Sequence, residues 1–157
     1  MREGIQTGFK HAELRGWGCY FFTLCKMAEL LRNEALQASL EAGEKPFEFS
    51  DDDIINAYIQ CLKAGWVFTG MHNGERKTCW IKNPVAVLNL LQQTLVFTKS
   101  SHEKKQPDAK YYPVFFDGNP THFALGSGGK VIWDSWAPSA ESRGLKLAVN
   151  NPYRWLR

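Results

Sequence analysis

The sequence predicts a single α+β domain over residues 1–157, with helices first and an antiparallel sheet last. The length corresponds to one domain of roughly 150 residues. Apolar residues recur at helical spacing between Cys19 and Leu62, and after Trp66 most of the chain consists of short apolar runs separated by turns. The hydrophobic content of 44% and the charged content of 22% are those of a globular protein and exclude a disordered or collagen-like chain.

Two long helices are predicted in the first half. The first spans about Cys19 to Ala42 and ends at Gly43, a residue that commonly terminates helices. The second follows Ser50, which is a favourable N-cap, and its first turn carries the carboxylates of Asp51–Asp53, which suit the positive end of a helix. Gly65 is a natural end for this helix.

A β-hairpin and a short helix follow. Trp66–Thr69 and Thr78–Ile81 flank Asn73-Gly74, a pair that strongly favours a hairpin turn. Asn83-Pro84 then provides an N-cap and a proline at the first position of a third helix, which reaches Leu91. A strand is predicted to begin at Leu95–Phe97, before a basic loop over residues 99–110.

The predicted C-terminal sheet consists of three strands, Tyr111–Phe116, Thr121–Gly126 and Lys130–Trp136. If the last turn is centred on Gly128, Phe123 faces Trp133 and Leu125 faces Val131 on the core side. His122 then faces Asp134 on the opposite side. Directly opposed residues have Cβ atoms about 4.5–5.5 Å apart, so the carboxylate could orient the imidazole.

Charge and hydropathy exclude several function classes. The net charge is +3, from 19 basic and 16 acidic residues, which does not favour nucleic-acid binding. The basic loop with Lys99, Lys104, Lys105 and Lys110 is interpreted as solvated. No apolar run of about 18 residues is present, so no membrane span is predicted. Without an apolar signal region, the expected location is cytoplasmic, with reduced thiols.

The four cysteines do not have the spacing of a zinc site, and we expect no metal and no cofactor. Cys19 is the candidate nucleophile, because unpaired N–H groups at a helix N-terminus lower the pKa of a thiol. The other three cysteines are interpreted as structural, and His72 and His102 as solvated. A thiol, a base and an orienting carboxylate are the groups that nucleophilic catalysis requires, so Cys19, His122 and Asp134 form the candidate catalytic set.

These residues resemble a known family. Gly-Cys at the start of a long helix, followed by His-Phe-Ala-Leu and then Val-Ile-Trp-Asp-Ser-Trp, is similar to the papain-like cysteine peptidase superfamily. The likeness is closest to the bacteriocin-processing (double-glycine leader) peptidases and to small peptidase-like proteins of phages and plasmids. It spans most of the chain, with motifs that cover about twenty residues.

The resemblance implies a papain-like fold and a Cys-His-Asp triad that hydrolyses a peptide or peptidoglycan amide. In the family, a glutamine several residues before the nucleophile completes the oxyanion hole. Glu13 stands six residues before Cys19, and the nearest upstream glutamine is Gln6, which becomes the candidate oxyanion donor. Asp134 is followed by serine, where the family commonly has proline.

Two further points follow from the neighbouring residues. Trp17, Gly18 and Trp136 are expected to wall a narrow substrate cleft. The alternative to a hydrolase is a catalytically impaired papain-like module that binds a peptide, a cell-wall fragment or a partner protein. The sequence does not indicate an oligomeric state.

Overall fold

A computed structural model describes residues 1–37 and 43–157, and it confirms the α+β class, with an antiparallel sheet in the C-terminal half. The four helices of the described residues are α1 (Ala12–Trp17), α2 (Cys19–Leu36), α3 (Asp51–Ala64) and α4 (Pro84–Gln92). The strands are β1 (Val67–His72), β2 (Glu75–Ile81), β3 (Ser100–Glu103), β4 (Tyr112–Asp117), β5 (His122–Ser127), β6 (Lys130–Trp133), β7 (Lys146–Leu147) and β8 (Tyr153–Leu156). None of the described helices is long and apolar enough to cross a membrane.

Helix α2 begins at Cys19, as predicted, and its described part ends at Leu36; the predicted continuation over residues 38–42 lies outside the described residues. The short helix α1 before it was not predicted. Gly18 joins the two helices, and its N–H donates to the carbonyl oxygen of Leu14. A Cβ on Gly18 would lie 2.6 Å from that oxygen, so only glycine fits this junction and allows α2 to start at the cysteine.

Local capping and turn signals predicted the next elements correctly. Ser50 and Asp53 form a reciprocal capping box at the start of α3, and Gly65 ends the helix in a left-handed conformation. The turn at Asn73-Gly74 joins β1 to β2. Asn83 caps α4 through its side chain, which accepts the Ala86 N–H at 3.0 Å.

The strand predicted at Leu95–Phe97 is wrong, because this segment is irregular and the next strand is β3, inside the predicted basic loop. β3 pairs with β8, which lies close to residue 157, and Ser100 faces Leu156 across the pair. This pairing joins positions at least 50 residues apart, and the polar residues of β3 carry no alternating apolar pattern that would reveal it.

The main sheet has the strand order β3-β8-β4-β5-β6, and β7 pairs with β4. The larger core lies between this sheet and the helices, and it includes Phe21 and Leu24 of α2 with Leu125 and Trp133 of the sheet. A smaller cluster covers the other face and contains Tyr112, Val114, Phe116, Ala124 and Ala140.

The predicted register of β5 and β6 is wrong. Gly128 and Gly129 both have positive φ values, 60° and 84°, and form a two-residue turn in which Gly126 faces Val131. A bulge follows, so Leu125 faces Trp133. Val131 therefore packs against the smaller cluster, on the opposite face from Leu125, and β6 ends at Trp133 before it reaches Asp134.

Candidate active site

The thiol of Cys19 lies at the N-terminus of α2, next to the start of β5. The backbone N–H groups of Phe123 and Tyr20 both interact with the sulfur and favour its anionic form. Phe123 follows His122 directly in the sequence, and the charge of Asp134 also acts on the thiol. The fold therefore brings the three predicted residues into one region, although more than 100 residues separate the cysteine from the other two.

The expected lowering of the thiol pKa does not hold for the resting protein. Burial raises the pKa of Cys19 to about 11, and this effect exceeds the opposite effect of the N–H groups of Phe123 and Tyr20. The Asp134 charge also raises the pKa. The helix N-terminus is present, as predicted, but the desolvation that accompanies packing against the sheet outweighs it. The thiol is consequently neutral at neutral pH.

His122 is fully buried, and its two ring nitrogens have different surroundings. Nε2 lies 2.6 Å from Oδ1 of Asp134, while Nδ1 has no hydrogen-bond partner among the described residues. The ring of Trp136 stacks on the imidazole, with 3.5 Å between the ring centroids. A carboxylate at Nε2 favours the tautomer with the proton on that nitrogen, which leaves the lone pair of Nδ1 able to accept a proton.

Asp134 is held in place by the loop that follows β6. Its Oδ1 also accepts the Trp136 N–H at 2.8 Å, and its Oδ2 accepts the Ala140 N–H at 2.8 Å. Both carboxylate oxygens thus have fixed partners, although the residue lies outside the β5–β6 ladder. The predicted contact between His122 and Asp134 is present, and the loop rather than a directly opposed strand position produces it.

Gln6 lines the cleft beside Cys19, whereas Glu13 does not. The side-chain amide of Gln6 donates to the carbonyl oxygen of Arg15 at 3.1 Å, and its carbonyl oxygen accepts the Ser135 hydroxyl at 2.7 Å. The carboxylate of Glu13 instead accepts the Tyr58 hydroxyl at 2.6 Å. An amide is therefore available in the cleft, supplied from the N-terminal segment and oriented by the residue that follows Asp134.

The cleft has a volume of about 510 Å³. Trp17 and Trp136 line it, while Gly18 is buried against Leu14 and does not. Sequence reasoning missed the contributions of β2, β3, β4 and β8; His102 is exposed, as predicted, and it also lies at the cleft. These lining residues are Lys77, Thr78, Cys79, Trp80, Ile81, His102, Phe115 and Arg154.

Cys79, which was interpreted as structural, lines this cleft in a strained position. Its φ of 53° lies in the left-handed region, and its N–H donates to the Thr69 hydroxyl at 3.0 Å. Its thiol bonds the Tyr58 hydroxyl at 3.2 Å. Cys25 and Cys61, by contrast, are buried in the core, as expected.

The described residues contain no cluster of three or more histidine, cysteine, aspartate or glutamate side chains positioned to hold a metal ion. Comparisons with protein-family models, curated proteins and solved structures gave no significant match.

Proposed function

We propose that the protein is a cysteine-dependent hydrolase of the papain-like type, which cleaves a peptide or peptidoglycan amide bond. One observation carries the proposal: the buried imidazole of His122 has a carboxylate at Nε2 and an unpartnered Nδ1, and the next residue along the strand, Phe123, has a backbone N–H that favours the anionic form of the Cys19 thiol. A buried polar atom without a partner costs free energy, so its presence at this position supports a catalytic base.

Nδ1 of His122 has no hydrogen-bond partner among the described residues, the Cys19 thiol included, so substrate binding must first bring these two groups together. As the thiol proton passes from Cys19 to Nδ1, the sulfur attacks the substrate carbonyl carbon, a C–S bond forms, and the carbonyl electron pair moves onto the oxygen. The Cys19 N–H and the Gln6 amide stabilise this oxyanion. As the intermediate collapses, the C–N bond breaks and the imidazolium protonates the leaving amine. Water, deprotonated by His122, then hydrolyses the thioester and releases the acid.

The raised pKa of Cys19 determines how the thiol is activated. With a pKa of about 11, the thiol does not ionise on its own at neutral pH. Its proton must pass to the imidazole as the substrate carbonyl is attacked, so His122 acts as a general base. Asp134 stabilises the imidazolium that forms in this step.

The raised pKa of Cys19 also favours a second candidate function, a papain-like module that binds a ligand but does not catalyse a reaction. A thiol held neutral by burial is a poor nucleophile, and the nitrogen and oxygen of the Gln6 amide in the cleft already bond to Arg15 and Ser135. In this case the cleft would bind a peptide, a cell-wall fragment or a partner protein and release it unchanged.

Hydrolysis assays separate the two candidates. Wild-type protein is tested on internally quenched peptides rich in small residues and on purified peptidoglycan, beside Cys19→Ala and the core variant Cys61→Ala. We expect cleavage by the wild type and by Cys61→Ala, and a loss of at least about 1000-fold in Cys19→Ala. Acid quenching followed by intact-mass measurement should detect an acyl adduct on Cys19. Binding without cleavage or adduct would support the module and contradict the hydrolase.

A further inference from the structure

The cleft carries positive charge without a compensating carboxylate. Three of its lining residues are basic, namely Lys77, His102 and Arg154, and the described lining includes no aspartate or glutamate. Lys77 has its own partner, because its Nζ lies 3.1 Å from Glu75. Burial and the nearby charge of Arg154 lower the pKa of His102, which keeps its imidazole neutral at neutral pH. The uncompensated charge of the cleft is therefore that of Arg154.

Most of the hydrogen-bonding capacity of Arg154 is unused. Its Nη1 donates to the backbone carbonyl oxygens of Asn151 and Tyr153, at 2.6 and 3.4 Å. Its Nε and Nη2 have no hydrogen-bond partner, and the guanidinium has no ion pair, among residues 1–37 and 43–157. The side chain is half-buried, and this burial lowers its pKa. A partly desolvated cation without an anion costs free energy, which an anionic ligand would recover.

The position of the guanidinium is fixed relative to the thiol. Its central carbon lies 5.3 Å from the ring centroids of both Phe115 and Phe123. The ring of Phe123 stacks on Tyr20, with 4.1 Å between centroids, and these two residues supply the N–H groups that act on Cys19. Because β8 pairs with both β3 and β4, the sheet rather than a loop sets the location of Arg154.

We propose that Arg154 forms a carboxylate-binding subsite, so that the cleft selects substrates with an acidic side chain or a free C-terminal carboxylate near the scissile amide. Two parallel N–H groups of a guanidinium match the two oxygens of a carboxylate. A carboxylate also matches the single unpaired positive charge better than a phosphate dianion would. The link to a scissile bond rests on the proposed function, whereas the binding step can be tested without it.

The direct test compares N-acetylglycinate with N-acetylglycinamide, titrated into the wild-type protein and followed by NMR. The reporter is the imidazole of His102, which faces Arg154 across β3 and β8. We expect the acid to bind at least about ten times more tightly than the amide, the size expected for hydrogen bonds to a charged group. Equal affinities, or no saturable shift with the acid, would overturn the subsite.

Variants assign the preference to one side chain. Arg154→Gln should reduce the affinity ratio to about one, and Arg154→Lys should retain only part of it, because lysine keeps the charge without the planar fork. Arg157→Gln is the control, since this arginine lies over Trp155, 4.3 Å from its ring centroid, outside the cleft lining. It should keep the wild-type ratio. A preference that persists in both Arg154 variants would contradict the assignment.

A second assay separates this inference from the proposed function. The substrates are internally quenched peptides in which each position around the small residues is occupied in turn by Asp or Asn, and by Glu or Gln. The two peptides of each pair differ only in the carboxylate. We expect kcat/KM to be about tenfold higher for the acid at one position, and this advantage to vanish in Arg154→Gln. Carboxylate binding without any hydrolysis would refute the hydrolase and retain the subsite. Hydrolysis without an acid preference would refute the subsite and retain the hydrolase.

Discussion

Oδ1 of Asp134 lies 2.6 Å from Nε2 of His122, and two backbone N–H groups also donate to this carboxylate. The donors of Trp136 and Ala140 each point at one carboxylate oxygen. This arrangement holds the imidazole in one orientation and one tautomer. The contact depends on a carboxylate, because every group around it is a hydrogen-bond donor.

Asp134→Asn should therefore break the site while leaving most of the fold intact. The asparagine amide group would face one of the N–H donors, so we expect a loss of about 1–3 kcal/mol in the free energy of unfolding. The rate of hydrolysis should fall by about 100- to 10,000-fold, because the histidine tautomer is no longer fixed. Nitrogen chemical shifts of His122 report the tautomer directly. An unchanged tautomer with an unchanged rate would contradict this role.

Gln6 and Glu13 can be separated by a matched pair of variants. Gln6→Ala removes the amide from the cleft, and we expect the rate of hydrolysis to fall by about 100- to 1000-fold. Glu13→Gln affects a side chain bonded to Tyr58 outside the cleft lining, so it should change the rate only severalfold. Both rates are measured with the same quenched peptide. The reverse order of sensitivity would assign the oxyanion position to residue 13.

The sequence predicts those features that depend on neighbouring residues. The capping box of Ser50 and Asp53, the Gly65 terminus and the Asn73-Gly74 turn each involve a few adjacent positions, and all are present. The start of α2 at Cys19 follows from Gly18 in the same way. Cys19 was found from the local pattern at the start of α2, whereas His122 and Asp134 were paired through a strand register that is wrong, although their contact is present.

The features that the sequence does not predict depend on distant parts of the chain. Arg154 enters the cleft because β8 lies between β3 and β4, a pairing that no local pattern encodes. The pKa of Cys19 depends on how completely packing removes water from the thiol, so the helix position alone indicated the wrong direction. The register of β5 and β6 depends on the two-residue turn at Gly128 and Gly129, which places Gly126 opposite Val131, and on a bulge that then places Leu125 opposite Trp133.

Alkaline pH should destabilise the protein. Burial raises the pKa of Cys61 to about 11 and that of Cys79 to about 12, from an ordinary value of 9.0, and the pKa of Cys25 rises in the same direction. The folded state thus binds more protons than the unfolded state once the pH exceeds about 8.5. The contribution of the neutral, buried thiols to the free energy of unfolding is fully present below that pH and is lost as the pH rises towards 11 to 12.

Urea denaturation at pH 7.5, 9 and 10 measures this loss. We expect the free energy of unfolding to decrease at each step, and Cys61→Ala to show a shallower decrease because one titrating thiol is absent. A free energy of unfolding that stays constant or rises between pH 7.5 and 10 would contradict the buried, neutral state of these thiols.

Glu29 should be a principal determinant of stability in the N-terminal half. Its side chain is 2% exposed, and its Oε2 accepts the Phe49 N–H at 3.0 Å. Its Oε1 lies 2.6 Å from the amino group of Met1 and 3.0 Å from Nζ of Lys26. Glu29→Ala would leave the buried Phe49 N–H without its acceptor and would remove the buried carboxylate from the Met1 amino group, which would keep only its contact with the exposed carboxylate of Glu48 among the described residues. We expect this variant to cost about 3–5 kcal/mol in the free energy of unfolding.

Glu48 provides the matched control for Glu29, because its carboxylate contacts the same amino group at 2.9 Å while its side chain is 67% exposed. Solvent screens an exposed ion pair, so Glu48→Gln should change the urea midpoint little. Both variants are measured at pH 7 against the wild type. If the two variants lost similar amounts of free energy of unfolding, the charge of the ion pair would matter and its burial would not. That result would contradict the role assigned to the buried carboxylate of Glu29.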